Sequence, residues 1–260
     1  MKKPLIKKIF LQAIDFEKKG DLLRAKSIYQ KIIKINSMFP NAYYNLANIL
    51  KGLGEYEDAI SNYKKVITID PQNISAINNL GVLYREIKEY KKAIFYFENA
   101  IKINDQYFGA YINLGNILKD LGEFEKAINC YEKVIKIDPK NISAINNLGV
   151  LYREIKEYQK AIIYFNQTIK INSNVVVSYL NLGYAFLGLE DLVNAELSFK
   201  KAIQLNPKNV DSHYSLMELL EKSNNVTKLN LAITAAKKLI GNNPIIAIFQ
   251  TFLLFRKDRF

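Results

Sequence analysis

NISAINNLGVLYREIKEY spans residues 73–90 and returns letter for letter at 141–158. An identical stretch 68 positions downstream marks an internal repeat, and each 68-residue block divides into two units of 34 that resemble one another less closely. The units begin near residues 6, 40, 74, 108, 142, 176 and 210. The eighth place holds Ala13, Ala47, Gly81, Gly115, Gly149, Gly183 and Met217. The twentieth holds Ala25, Ala59, Ala93, Ala127, Ala161, Ala195 and, after a three-residue insertion near Asn225, Ala232. Small residues at both places let two helices approach closely. Large ones complete the packing: Leu46, Leu80, Leu114, Leu148, Leu182 and Leu216 at the seventh place, and Tyr63, Phe97, Tyr131, Phe165 and Phe199 at the twenty-fourth.

Within AYYNLANILKGLGEYEDAISNYKKVITIDPQN (42–73), apolar residues recur at three- and four-residue spacing on either side of Gly54-Glu55 and stop at Asp70-Pro71. The pattern predicts a helix, a tight turn, a second helix and a proline-marked turn into the next unit, where Pro71, Pro139, Pro207 and Pro244 fall. Two short helices bury too little alone, so each pair must lean on its neighbours, and a stack of such pairs leaves an extended concave face.

Composition narrows the function. The chain is 49% hydrophobic and carries a formal charge of +12, with Lys64, Lys65, Lys91, Lys92, Lys133, Lys136, Lys200 and Lys201 scattered over second helices rather than along one track. A solvated coat explains those lysines better than a nucleic-acid interface. Lys7, Lys8 and Asp15 interrupt any signal-peptide core, and Pro244 to Phe255, the longest nearly uncharged apolar run, is shorter than the roughly 20 residues of a membrane span. A single cysteine, Cys130, and a single histidine, His213, provide neither a disulfide nor a soft-ligand zinc site. The expectation is a cytoplasmic protein without cofactor or catalytic activity, with His213 packed in the core.

The 34-residue period, the Leu-Gly pair, the recurrent Ala and the terminal Pro resemble the tetratricopeptide-repeat (TPR) family over residues 6 to about 244. The family's usual tryptophan at the fourth place is replaced by Tyr43, Ile77, Tyr111, Ile145 and Tyr179. The resemblance implies an all-α, right-handed α-solenoid of seven helix-turn-helix repeats (6–39, 40–73, 74–107, 108–141, 142–175, 176–209 and 210–246, within a domain 1–246). A C-terminal apolar helix, 247–260, would cap the stack or associate.

In that family the first helix of each pair lines the groove, which implies ligand contact by Tyr44, Asn48 and Lys51, by Asn78 and Arg85, by Asn116 and Lys119, and by Asn146 and Arg153. The sixth place adds Asn45, Asn79, Asn113, Asn147 and Asn181 at a constant spacing. An amide both donates and accepts, so this row can pair with a peptide backbone without reading side chains. It resembles the peptide-gripping row in the repeat arm of O-linked N-acetylglucosamine transferases. Lys51, Arg85, Lys119 and Arg153 favour acidic side chains, although Glu86, Asp120 and Glu154 follow and cancel much of their field. The functional reading is therefore a non-catalytic interaction scaffold that holds an extended protein segment, with a substrate-recruiting arm of a separate transferase as the alternative.

With helices about 8–10 Å apart and an extended chain rising about 3.3 Å per residue, one repeat would meet roughly three ligand residues. The doubled stretch is either a recent duplication or a doubled recognition surface. PIIAIFQTFLLFRKDRF (244–260) is apolar nearly all round and offers three outcomes: folding back over the last repeat, pairing with a second copy, or leading into a further domain.

Overall fold

The computed structural model describes residues 2–241 and 243–257, with side chains described for 4–241 and 243–253. These residues form fifteen α-helices and no strand. The chain divides into two compact units, residues 1–133 and 134–260, with the division falling inside α8.

The first unit holds α1 (Lys2–Lys18), α2 (Leu22–Ile35), α3 (Pro40–Gly52), α4 (Tyr56–Ile69), α5 (Ile74–Glu86), α6 (Tyr90–Ile103), α7 (Phe108–Asp120) and the first part of α8 (Phe124–Ile137). The second holds the remainder of α8, then α9 (Ile142–Glu154), α10 (Tyr158–Ile171), α11 (Val176–Gly188), α12 (Leu192–Leu205), α13 (Val210–Lys222), α14 (Val226–Ile240) and α15 (Pro244–Lys257). From α1 to α7, and again from α9 to α15, each helix packs on the next. The first helices of adjacent pairs also meet, α5 with α7 and α9 with α11. This serial packing of helix pairs is that of an α-solenoid.

Local chemistry sets the helix boundaries. Asn73 and Asn141 cap α5 and α9, accepting from the backbone N–H groups of Ala76 and Ala144 at 3.0 and 3.1 Å. Each pair then needs one residue in the left-handed region between its helices. Gly20, Gly54 and Gly122 supply it at φ +78°, whereas Lys88, Lys156, Glu190 and Asn224 adopt φ 63°, 64°, 60° and 59°. The turn closes when Lys88 N–H bonds Arg85 C=O at 3.0 Å and Glu89 N–H reaches back to Tyr84 C=O at 2.8 Å. Gly188 does not supply this position in its own pair: it is the last residue of α11, and Glu190 is the left-handed residue. The ring of Tyr158 lies against Gly188, where a Cβ would approach to 2.3 Å.

The core forms where small meets large. A Cβ on Gly81 would come within 2.7 Å of the Phe97 ring, and one on Gly149 within 2.7 Å of the Phe165 ring. Both rings and both partner alanines, Ala93 and Ala161, are fully buried. At the end of the second unit, Ile246, Phe249 and Leu253 of α15 join a buried cluster with Leu216, Leu219, Leu220 and Ile233. Ile248 of the same helix stays exposed, and residues 258–260 of the expected terminal helix lie outside the described residues. No helix among the described residues is long and apolar enough to cross a membrane.

Candidate functional site

The first helices carry the polar residues singled out in the sequence, and the structure ties most of them to one another. In the first unit, Asn45 Nδ2 donates to Tyr29 Oη at 3.0 Å. Asn79 Nδ2 lies 3.0 Å from Tyr44 Oη and 3.3 Å from Asn48 Oδ1, so acceptors from the preceding first helix are within reach of both its N–H groups. Asn113 Nδ2 donates to Asn78 Oδ1 at 3.2 Å, and Arg85 Nη1 donates to Asn113 Oδ1 at 3.3 Å. The amide row thus bridges consecutive repeats. Asn45, Asn79 and Asn113 remain part-exposed, whereas Asn78 is 7% exposed.

Asn48 and Asn116 have a further commitment. Tyr63 donates its hydroxyl to Asn48 Oδ1, and Tyr131 donates its hydroxyl to Asn116 Oδ1 at 2.7 Å. Burial holds the Tyr63 phenol well above its ordinary range, so it remains a donor. Where the twenty-fourth place is Phe97, Phe165 or Phe199, the ninth is Val82, Val150 or Tyr184. A hydroxyl buried in the core requires an acceptor. In repeats two and four this pairing of Tyr with Asn is visible in the sequence, whereas in repeat one Tyr29 faces Ile14 at the ninth place and donates to Glu17 instead.

In the second unit, Arg153 Nη1 donates to Asn181 Oδ1 at 3.1 Å, and its guanidinium sits 5.6 Å from the centre of the Tyr184 ring. Tyr184 Oη and Ser215 Oγ lie 2.6 Å apart, which fixes that ring. Asn181 is 8% exposed, Asn147 is half-buried, and Asn146 Oδ1 is buried without a hydrogen-bond partner.

The cations of the row differ. Lys51 pairs with Glu86 at 3.4 Å and Lys119 with Asp120 at 3.5 Å. Among the described residues, neither Arg85 nor Arg153 has a carboxylate within salt-bridge distance.

Outside this row, the reactive side chains are packed. Burial, with Glu98 nearby, pushes the Cys130 thiol up to about 11, which keeps it protonated at neutral pH. His213 is 4% exposed, with Nε2 2.9 Å from the Pro207 carbonyl. It borders a cleft of about 440 Å³ between α12, α13 and α14 that is lined chiefly by Leu216, Leu220, Leu231 and Leu239. Glu196 at that cleft accepts from Lys200 and Lys228; burial raises its carboxyl, but these two bonds outweigh it and hold the group below the usual carboxylate range.

Tetratricopeptide-repeat profiles match residues 40–73, 74–107, 142–175 and 176–209, and a profile described as TPR repeat matches 115–155, together more than half of the chain. No curated protein matches. Among solved structures, the C-terminal part of a TPR repeat-containing protein from Cytophaga hutchinsonii aligns with a TM-score of 0.74 at 19% identity, covering 92% of this chain and 98% of that one. MamA aligns at 0.58 and 27% identity over 66% of this chain and 94% of its own. YrrB, described as a TPR protein with an unusual peptide-binding site, aligns at 0.57 and 21% identity, covering 75% of this chain and 97% of that one.

Proposed function

Since the chain belongs to the tetratricopeptide-repeat family, whose members generally serve as protein-interaction scaffolds, we propose that it is a non-catalytic scaffold whose first helices bind an extended, acidic protein segment. The observation that carries this reading is the guanidinium of Arg153, with that of Arg85 as its weaker counterpart. Each guanidinium is anchored on an amide of the next first helix and has no carboxylate of the chain to neutralise it. A guanidinium offers five N–H donors, so one bond to an amide leaves an edge for a ligand carboxylate.

The amides beside it supply main-chain partners. Asn113 spends one N–H on Asn78 and one lone pair on Arg85, and Asn45 spends one N–H on Tyr29, which leaves each with capacity for a peptide group. Asn79 has less to offer, because both of its N–H groups have acceptors close by. The bridges between repeats hold these side chains in place before a ligand arrives, which lowers the ordering cost of binding. YrrB, which shares the fold, has a peptide-binding site of its own.

The test is a random 12-residue peptide display library selected on the full chain, followed by titration of the synthesised peptides. Enriched peptides should be extended and acidic, and replacing Asn79, Asn113 and Asn147 together by Ala should weaken them by about tenfold or more. Far-UV circular dichroism should show unchanged helicity. No enrichment, or undiminished binding by the triple variant, overturns the reading.

A further inference from the structure

We propose that only the second copy of the doubled stretch forms a subsite for one acidic residue of the bound segment, because its amide groups are left without partners, with Arg153 taking the carboxylate and Asn146 and Asn181 the main chain. This inference rests on the scaffold reading above and specifies where an acidic side chain is read.

The two copies have the same sequence but are closed differently. In the first unit a continuous chain of bonds runs from Arg85 to Asn113 Oδ1 and from Asn113 Nδ2 to Asn78 Oδ1, at 3.3 and 3.2 Å. Asn78 Nδ2 continues towards Asn79 Oδ1 at 3.5 Å. In the second unit the same chain starts, with Arg153 on Asn181 Oδ1 at 3.1 Å, and then stops. Asn181 Nδ2 makes no bond to any described residue, and Asn146 Oδ1, the counterpart of Asn78 Oδ1, is buried and unpaired. A donor and an acceptor that satisfy each other in one copy are both unmet in the other. A buried acceptor without a partner costs about 1–3 kcal/mol, and a ligand N–H that reaches it after a rotation of the Asn146 amide recovers that cost.

The cation differs too. Asn116 occupies the ninth place after the first copy and is engaged by Tyr131, whereas the corresponding place after the second copy is Tyr184. The Arg153 guanidinium carbon lies over that ring, 5.6 Å from its centre, and the ring is itself fixed by Ser215. The ring thus flanks the guanidinium, Asn181 holds one of its N–H groups, and an edge is left for a planar carboxylate to engage through two parallel bonds. Arg85 has no such ring beside it among the described aromatic contacts.

The first measurement uses N-acetyl-aspartate N-methylamide, with its asparagine counterpart as control, titrated into the full ¹⁵N-labelled chain. The side-chain signals of Asn146 and Asn181 and the Nε–Hε signal of Arg153 should shift with the aspartyl probe only. Those of Asn78, Asn113 and Arg85 should stay in place. Arg153→Ala should abolish the shifts and Arg85→Ala should preserve them. Equal shifts at both copies, equal response to the two probes, or no shift at Asn146 overturns the proposal. The second measurement uses the library-derived peptides, for which Arg153→Ala should weaken binding about tenfold and Arg85→Ala less than about twofold. Peptides that bind but lose affinity equally in both variants sink this subsite and leave the scaffold standing. A library with no binders removes both.

Discussion

Residues 73–90 and 141–158 provide a comparison that the chain itself controls, because eighteen identical side chains are set among different neighbours. The helix caps, turns and ring contacts are reproduced. Both copies begin with an asparagine cap, both turn on a left-handed lysine, and both stack a tyrosine on a second tyrosine, Tyr84 on Tyr96 and Tyr152 on Tyr164, each at 5.5 Å between ring centres. Lys92 and Lys160 lie over Tyr84 and Tyr152 at 5.4 and 5.3 Å. What differs is the polar surface, because its partners come from the next first helix, about one repeat away in sequence. Local structure is set by the repeat, while the site is set by its junction with the following repeat.

The largest effect should confirm that the cores are equivalent. Phe97 and Phe165 are fully buried and fill the space that Gly81 and Gly149 leave open. Replacing either by Ala creates a cavity at a site whose backbone is already in close contact, so each variant should lose about 3–5 kcal/mol. Urea unfolding followed by circular dichroism reads this directly. Losses that differ by more than about 1 kcal/mol would break the claim that the two copies share one core.

A smaller effect should separate the copies. Asn78→Ala deprives Asn113 of its acceptor and should cost about 1 kcal/mol. Asn146→Ala removes an acceptor that has no partner and should be neutral or slightly stabilising. Equal losses in urea midpoint at the two positions would mean that Asn146 is satisfied in solution, and the asymmetry of the surface would fall with it.

The same division explains what could be read from the sequence. Helix pairs, their order and the places of Ala93, Ala161 and the facing rings follow from spacing alone, because each depends on residues within one repeat. The row Asn45, Asn79, Asn113, Asn147 and Asn181 was also visible as a periodicity. Its division into bridging and unpaired members was not, because Asn113 and Asn181 are the same residue at the same place and differ in their surroundings, above all in what Asn78 and Asn146 do opposite them. Across repeats two to six the Tyr63–Asn48 and Tyr131–Asn116 pairs follow a covariation between the twenty-fourth and ninth places, from which Tyr29 with Ile14 in repeat one departs. Glu190 was hidden by Gly188 two residues earlier, since a glycine near a helix end ordinarily marks the turn itself.

The smallest effect concerns the turn that the copies share and the other repeats solve differently. Lys88 and Lys156 hold φ 63° and 64° where Gly20, Gly54 and Gly122 stand in their own repeats. A residue with a Cβ costs about 1–2 kcal/mol in that conformation, and glycine relieves it while adding roughly 0.5–1 kcal/mol of chain entropy to the unfolded state. The first term is the larger, so Lys88→Gly and Lys156→Gly should each stabilise the fold by about 0.5 kcal/mol, and by the same amount in both units. Gly54→Lys should do the reverse. Since Lys88 and Lys156 are exposed and form no described ion pair, little charge energy is lost with them. Destabilisation by either lysine replacement in a urea titration would show that the side chain contributes more than the strain it imposes, and unequal responses would mean that even the turn depends on the repeat that follows.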